Sequence, residues 1–366
     1  MRLPLQKCWL PLLVVLLLAR ALAAREWTEE DFDNKESLSR IYVAVPGHDL
    51  ETSTTVIGSS RYYQVEKKDT FLDIARYADL GYNEFEEANP GIDPWVPPNG
   101  QLVLLPTQWI LPDVETRGVV VNIPEMRLYY FHGGGSGTVL VTTYPVGLGR
   151  DEWRTPEGKF KITEKNVDPR WVLTDSIKRE HIREGKPAPD FIEGGDPENP
   201  LGRYRLRLTL PLYGIHGTNI PWGVGMQVSH GCIRLYPEDI DKLFPQVPVG
   251  AAGEFVYQPV KVGVRDRRVY VEIHKDIYDL RPGLYREVTR IVEKYGWQEA
   301  VDWNRVERAV SEQSGVPMDV SRDAEPLLPE ETFKRRTPKV VGEWARPGRD
   351  RAPASATPRI PNTKAR

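Results

Sequence analysis

The sequence predicts a mainly β domain, a sandwich or partly open barrel. A small α+β domain of βααβ order precedes it, and a helical segment and a basic, disordered tail follow. Three observations carry this. From about Gly118 to Val264, short period-two alternations are separated by Gly- and Pro-rich turns. Between Tyr62 and Pro106, two helix signals lie between two strand signals. The 32 prolines and 30 glycines in 366 residues favour short strands over long helices. With 40% apolar and 28% charged residues, the chain is neither wholly disordered nor a multi-span membrane protein. A net charge of −3 excludes polyanion binding along the whole chain.

Residues 1–23 read as a secretory signal. Arg2 and Lys7 give the positive start, Trp9–Ala19 the apolar run, and Ala21-Leu22-Ala23 the cleavage site. The run is short for a bilayer span, although an uncleaved anchor or a core helix is the competing reading. Residues 24–60 carry helix-like and turn-like signals without strong periodicity. In residues 61–107, Tyr63-Gln64-Val65 alternates like a strand, and Asp69-Thr70 caps a helix through Phe71, Ile74 and Ala75. A second helix, Asn83 to Ala88, stops at Asn89-Pro90-Gly91, and Leu102–Leu105 returns as a strand closed by Pro106. This stretch resembles a LysM domain on Tyr63-x-Val65, Lys68-Asp69-Thr70-Phe71, Ile74-Ala75, Asn89-Pro90-Gly91-Ile92, Pro98-Asn99-Gly100-Gln101 and Leu105-Pro106. Lys68 stands where the family usually has Gly. The resemblance implies binding of N-acetylglucosamine-containing glycans, with Asp69, Thr70, Asn89 and Pro90 as candidate contacts. The alternative is a βααβ spacer without glycan affinity.

Residues 117–258 form the β domain. Val119–Ile123 and Arg127–Phe131 flank a turn at Pro124-Glu125, and Val139–Val146, Lys159–Ile162 and Tyr204–Leu208 continue the alternation. The polar insert from about Asp168 to Asn199 is expected to be a lid loop. Residues 259–332 form an accessory segment with a strand at Val269–Ile273, a helix with Val288, Ile291 and Val292 on one face, and another from Trp303 to Ser311. Residues 333–366 carry ten Lys/Arg against two acids, the composition of a disordered tail. It reads as a solubilising extension or as a polycation drawn to anionic envelope polymer or phospholipid.

Only Cys8 and Cys232 are present, and signal cleavage removes Cys8. A lone thiol outside the cytoplasm is either buried and inert or kept for chemistry. His216, His230 and Cys232 fall within 17 residues. Thiol catalysis needs a thiolate, a base and amide donors for the oxyanion. Cys232 fits the nucleophile, and Gly231 permits a sharp turn with N–H donors beside it. His230 is two positions from the thiol, while His216 ends an apolar strand. Spacing mildly prefers His216, which can reach across strands. Structural histidines are one bland alternative. A zinc site is the other, but H-x-C is tight and no fourth ligand has familiar spacing.

His216-Gly217-Thr218 and Ser229-His230-Gly231-Cys232 resemble the signature of the L,D-transpeptidase catalytic domain, YkuD. Tyr144-Pro145-Val146-Gly147, Thr155-Pro156-Glu157-Gly158 and Asn199-Pro200-Leu201-Gly202 support it. The resemblance implies a mostly β fold, no metal and no cofactor. It makes Cys232 the nucleophile, His216 the base and the Gly217 carbonyl the group that orients the imidazole. Ser229, His230 and Gly231 then shape the nucleophile loop and its donors, and Thr218 and Arg234 meet substrate. Arg234, where some members have Asn, resembles the periplasmic ErfK/YbiS-like branch acting on diaminopimelate-type peptidoglycan. It is expected to hold a stem-peptide carboxylate or to pair with Glu238 or Asp239. The implied activity is acyl transfer from a tetrapeptide stem through a cysteine thioester to an amine on another stem or on an envelope lipoprotein lysine. The alternatives are an L,D-carboxypeptidase or amidase and a non-catalytic peptidoglycan-binding scaffold. Peptidoglycan is the expected partner, with no nucleic acid and no membrane span after cleavage, in the periplasm.

Overall fold

The computed structural model describes residues 41–114, 118–133, 135 and 137–324. The expected signal, residues 24–40 and the expected basic tail lie outside the described residues. Residues 41–60, read as carrying helix-like and turn-like signals, instead contain two short strands, β1 (Tyr42–Ala44) and β2 (Val56–Gly58). Strands of three residues are too short to print a period-two pattern. Next come β3 (Arg61–Gln64), α1 (Phe71–Tyr77), α2 (Tyr82–Glu87) and β4 (Leu102–Leu105), with β3 and β4 antiparallel. Thr70 caps α1 in a reciprocal capping box with Asp73. β5 (Gln108–Ile110) then pairs with β2.

The main body is built from β6 (Val119–Asn122), β7 (Arg127–Phe131), β8 (Val139–Pro145), β9 (Leu148–Gly149), β10 (Gly158–Val167), β11 (Trp171–Val172), α3 (Asp175–Arg183) and β12 (Phe191–Ile192). It continues through β13 (Tyr204–Leu208), β14 (Gly214–His216), β15 (Gln227–Ser229), β16 (Ile233–Arg234), α4 (Pro237–Gln246) and β17 (Ala252–Val256). Nine strands join in one sheet, in the order β1-β8-β7-β6-β17-β10-β13-β14-β16. Leu128, Tyr144, Val119, Phe255, Phe160, Leu206, Ile215 and Ile233, one from each of eight consecutive strands, share a single core with Ile240 and Leu243 of α4. In a flat sheet the outermost of these strands would lie about 34 Å apart. The sheet must therefore curl around this core. This is the mainly β domain that the sequence predicts, its strands wrapped around one core.

The opposite face of β6–β8 is also covered. Val120, Tyr129, Phe131 and Val141 pack in one cluster with Phe71, Ile74, Phe85 and Trp109. The βααβ segment thus shares its apolar core with the central sheet. Buried ion pairs fasten it: Arg127 to Glu84 at 2.5 Å, and Arg76 to Glu238 of α4 at 3.0 Å. The start of α2 also meets the loop before β15, where Tyr82 and Asn83 N–H donate to the Val224 and Gly225 carbonyls at 3.3 and 3.2 Å. Gly225 has φ +81°, and a Cβ there would lie 2.2 Å from the Tyr82 nitrogen, so only glycine fits.

β18 (Val260–Arg265), β19 (Arg268–Ile273), α5 (Leu284–Lys294), α6 (Trp303–Glu312) and β20 (Met318–Asp319) enclose a third core containing Val264, Val271, Val292 and Val306. A buried charge cluster joins this unit to the main sheet. The Lys261 ammonium lies 2.8 Å from both Glu125 and Glu272, and His274 is 2.7 Å from Glu272. Glu125, Glu272 and His274 are the one set with metal-like spacing among the described residues, and Lys261 supplies the positive charge between the two carboxylates. No described helix is long and apolar enough to cross a membrane.

Candidate active site

β14 and β16 are adjacent and parallel, with Ile215 opposite Ile233 and His216 opposite Arg234. The chain leaves His216, loops through β15 and returns beside itself, which brings His216 and the turn bearing Cys232 to one end of the sheet. His216 is buried, and its Nδ1 lies 2.6 Å from the Gly217 carbonyl oxygen. That contact requires a proton on Nδ1, which leaves Nε2 as the basic nitrogen.

The Cys232 turn is held by hydroxyls. Ser229 Oγ donates to the Cys232 carbonyl at 2.6 Å and accepts from the Gly231 N–H at 3.1 Å. Thr155 Oγ1 donates to the Gly231 carbonyl at 3.0 Å. Gly231 has φ +102°, and a Cβ there would sit 2.7 Å from the Tyr213 ring. Glycine is needed both for that dihedral and for that approach. The thiol is half-buried and lies 3.6 Å from the Leu212 carbonyl. Of the two amides expected to serve an oxyanion, Gly231 N–H is committed to Ser229. Cys232 N–H has no acceptor among the described residues.

Burial pushes the Cys232 thiol up, and Arg205, the Gly214 amide and Arg234 only partly oppose it. Burial, aided by Arg234 and Arg205, pushes the His216 imidazole down to about 3 against the Gly217 and Leu201 carbonyls. The resting pair is therefore a neutral thiol and a neutral imidazole.

His230 faces the insert. Its Nε2 lies 2.6 Å from Glu180 of α3 and 3.1 Å from Arg150, which itself meets Glu180 at 2.7 Å. Trp153 packs edge-on against the ring at 5.3 Å. Burial raises the Glu180 carboxyl, but hydrogen bonds from His230 and Arg150 outweigh it and hold the group at about 2. The insert, expected as a polar loop, contains the β11/β12 hairpin and α3, capped by Thr174 and burying Ile177. Its base is tied by Asn199, whose side-chain amide donates to the Pro169 and Glu193 carbonyls at 2.9 Å each.

Several expected contacts are placed differently. Glu238 is paired with Arg76, and no carboxylate among the described residues pairs with Arg234. Thr218, expected to touch substrate, is buried, and its hydroxyl accepts from Ile220 N–H at 3.0 Å. Three of the expected glycan contacts make bonds within the segment itself. Asp69 is buried and accepts from Tyr63 OH and Glu66 N–H. Thr70 is spent on the helix cap. Asn89 bridges α2 to β4 through the Phe85 carbonyl and both backbone groups of Leu104. Only Pro90 is exposed. Sequence reasoning missed Arg150, Glu180 and Arg205. Arg205 alternates with Leu206 on a strand and reads there as an ordinary solvent-facing position.

Residues 116–262 match the L,D-transpeptidase catalytic domain, YkuD. The chain is 38% identical over 255 residues to a probable L,D-transpeptidase ErfK/SrfK of Salmonella typhimurium, spanning 68% of this chain and 81% of that protein. It is 36% identical over 247 residues to a probable L,D-transpeptidase YbiS of Escherichia coli, spanning 65% and 79%. A probable L,D-transpeptidase YcfS of Escherichia coli matches at 32% over 277 residues, spanning 73% and 85%. Each matched stretch is longer than residues 116–262, so the likeness extends beyond the catalytic sheet.

Proposed function

This chain belongs to the L,D-transpeptidase family, and we propose that it transfers the acyl group of a peptidoglycan tetrapeptide stem through a thioester on Cys232. The observation that carries this reading is the parallel pairing of β14 and β16. It sets His216, its Nδ1 held by the Gly217 carbonyl, beside the turn of the one cysteine left after signal removal. As Sγ attacks the carbonyl carbon of the third stem residue, diaminopimelate, its proton passes to His216 Nε2. The Cys232 N–H faces the oxyanion. Collapse breaks the bond to the fourth residue, and His216 returns the proton to the departing D-alanine amine. An acceptor amine then attacks the thioester, His216 takes its extra proton, and the thiol is restored.

The Gly217 carbonyl fixes the imidazole, while Ser229 and Gly231 set the nucleophile turn. The acceptor is a second stem or a lysine of an envelope lipoprotein. The helix-bearing insert acts as the lid that keeps water from the thioester. The βααβ segment is a LysM-like glycan guide within the periplasmic envelope, presenting strands to a site it is rigidly packed against.

The test is incubation with diaminopimelate-containing tetrapeptide muropeptide, read by liquid chromatography–mass spectrometry beside Cys232→Ala. Cys232-dependent dimers with free D-alanine are expected. Tripeptide without dimers points to carboxypeptidase action or a missing protein acceptor, and unchanged substrate overturns the reading.

A further inference from the structure

We propose that Arg205, together with Arg234, forms a receptor for the free carboxylate that follows the scissile amide, so that the site reads the end of the donor peptide. This rests on the acyl-transfer reading above.

Arg205 on β13 stands opposite His216 on β14 in the antiparallel register. Its side chain lies over Gly214, where a Cβ would come 3.2 Å from Arg205 Nε and 3.8 Å from Nη2. Gly214 is not among the residues with positive φ, so its backbone does not require glycine. What the missing Cβ leaves is room for the guanidinium. The Gly214 amide is also a hydrogen-bonding neighbour of the Cys232 sulfur, so guanidinium and thiol flank the same residue. Arg234 approaches from the other side, two positions beyond Cys232 and beside His216.

Neither cation has a salt-bridge partner among the described residues. The Nε atoms of Arg205 and Arg234 are buried without an acceptor. The nearby carboxylates are committed elsewhere. Glu164 binds Arg207 at 2.9 Å, Glu180 binds Arg150 at 2.7 Å, and Glu238 binds Arg76 at 3.0 Å. Both arginines are half-buried, and a guanidinium whose Nε is shut away from water without an acceptor is unfavourable until an anion arrives. Arginine is also the side chain suited to gripping a carboxylate with two parallel bonds.

The donor supplies such an anion at the right reach. In a stem with one residue beyond the scissile bond, the terminal carboxylate is three covalent bonds from the attacked carbonyl carbon, about 3–4 Å away. The distal carboxylate of diaminopimelate ends a longer side chain. A cation beside the thiol therefore meets the terminal carboxylate first. Adding a residue moves that charge away, and amidation removes it.

The experiment uses two synthetic donor peptides, a diaminopimelate tetrapeptide with a free C-terminus and the same peptide as its C-terminal amide. Binding is measured by calorimetry to full-length Cys232→Ala protein, so it does not depend on turnover. The acid is expected to bind about ten- to a hundredfold more tightly than the amide, the range for a charge-assisted contact. Adding Arg205→Gln abolishes that preference, and Arg205→Lys restores part of it; circular dichroism checks the fold of each variant. The proposal is overturned if the Arg205→Gln protein still prefers the acid as strongly, or if the parent protein does not distinguish the two. Turnover of the acid by wild-type protein is scored separately. Absence of D-alanine release sinks the acyl-transfer reading, while the binding comparison still decides the role of Arg205.

Discussion

Glu84 is the strongest test of how the βααβ segment is held. One carboxylate oxygen accepts from Trp109 Nε1 at 2.7 Å and Arg127 Nε at 3.2 Å. The other accepts from Arg127 Nη2 at 2.5 Å and Gly81 N–H at 3.1 Å. Arg127 is completely buried, stacks over Trp109 at 4.3 Å, and also donates to Thr143 and the Asp79 carbonyl. Glu84→Gln keeps the volume and one acceptor oxygen but leaves the Arg127 charge unmatched in the core. Removing one partner of such a buried pair costs about 3–5 kcal/mol. At about 2 °C per kcal/mol for a chain of this size, thermal unfolding should fall by roughly 6–10 °C. The double variant Glu84→Gln with Arg127→Met deletes the charge as well as its partner, and should recover to within about 2 kcal/mol of wild type. Circular dichroism melts of the single and double variants decide it. A Glu84→Gln melt within about 1 °C of wild type refutes the argument. So does a double variant less stable than Glu84→Gln alone, because then the unmatched charge is not what the single change introduces.

Three further outcomes follow from the site. Cys232 alkylation by iodoacetamide should keep rising as pH climbs through the ordinary thiol range near 9, because burial raises this thiol; a plateau between pH 6 and 7 would mean a preformed ion pair. His216 is neutral in the fold down to about pH 3 against an ordinary 6.5, so its share of stability stands above pH 6.5 and drains as pH falls towards 3. His216→Gln should flatten the melting temperature against pH between 6.5 and 4, and an unchanged slope counts against the shift. Glu180→Gln should raise amide exchange in residues 171–192 by about tenfold and lower the ratio of cross-linked to hydrolysed product; equal loss of both products with unaltered exchange would assign Glu180 a merely structural part.

Tyr204–Leu208 was legible because its period-two alternation spans the whole strand, and Arg127–Phe131 because a short apolar run is bounded by turn signals. So were α1 and α2, whose caps and breakers are local chemistry. β1 and β2 were not, since their strand character comes from the partners at β8 and β5. α3 was hidden by its polarity, for it buries Ile177 and Glu180 while exposing most of its surface. Cys232 and His216 stood out as a motif, but their neighbours did not. Glu180 matters through a contact with His230, 50 residues away, and Arg205 through a cross-strand contact with Gly214, neither of which local spacing encodes. The glycan-contact expectations meet a related limit. Asp69, Thr70 and Asn89 carry a recognisable pattern because they build the segment's turns and caps, and pattern alone does not separate a residue that builds a groove from one that lines it.

The electrostatics of the resting site bear on a difficulty the sequence raised, an unpaired cysteine in a chain expected to carry a secretory signal. Thiol–disulfide exchange and oxidation both proceed through the thiolate. Burial that raises the Cys232 thiol, with a neutral His216 beside it, keeps that species scarce until something changes the surroundings. The same burial leaves two guanidiniums without counter-anions, a state that the arrival of a carboxylate relieves. If Arg205 and Arg234 receive a carboxylate as proposed, protection of the thiol and demand for an anionic substrate are two consequences of one desolvated pocket. A mutation that opens the pocket to water should loosen both together, making the thiol easier to oxidise and the site less selective for its anion.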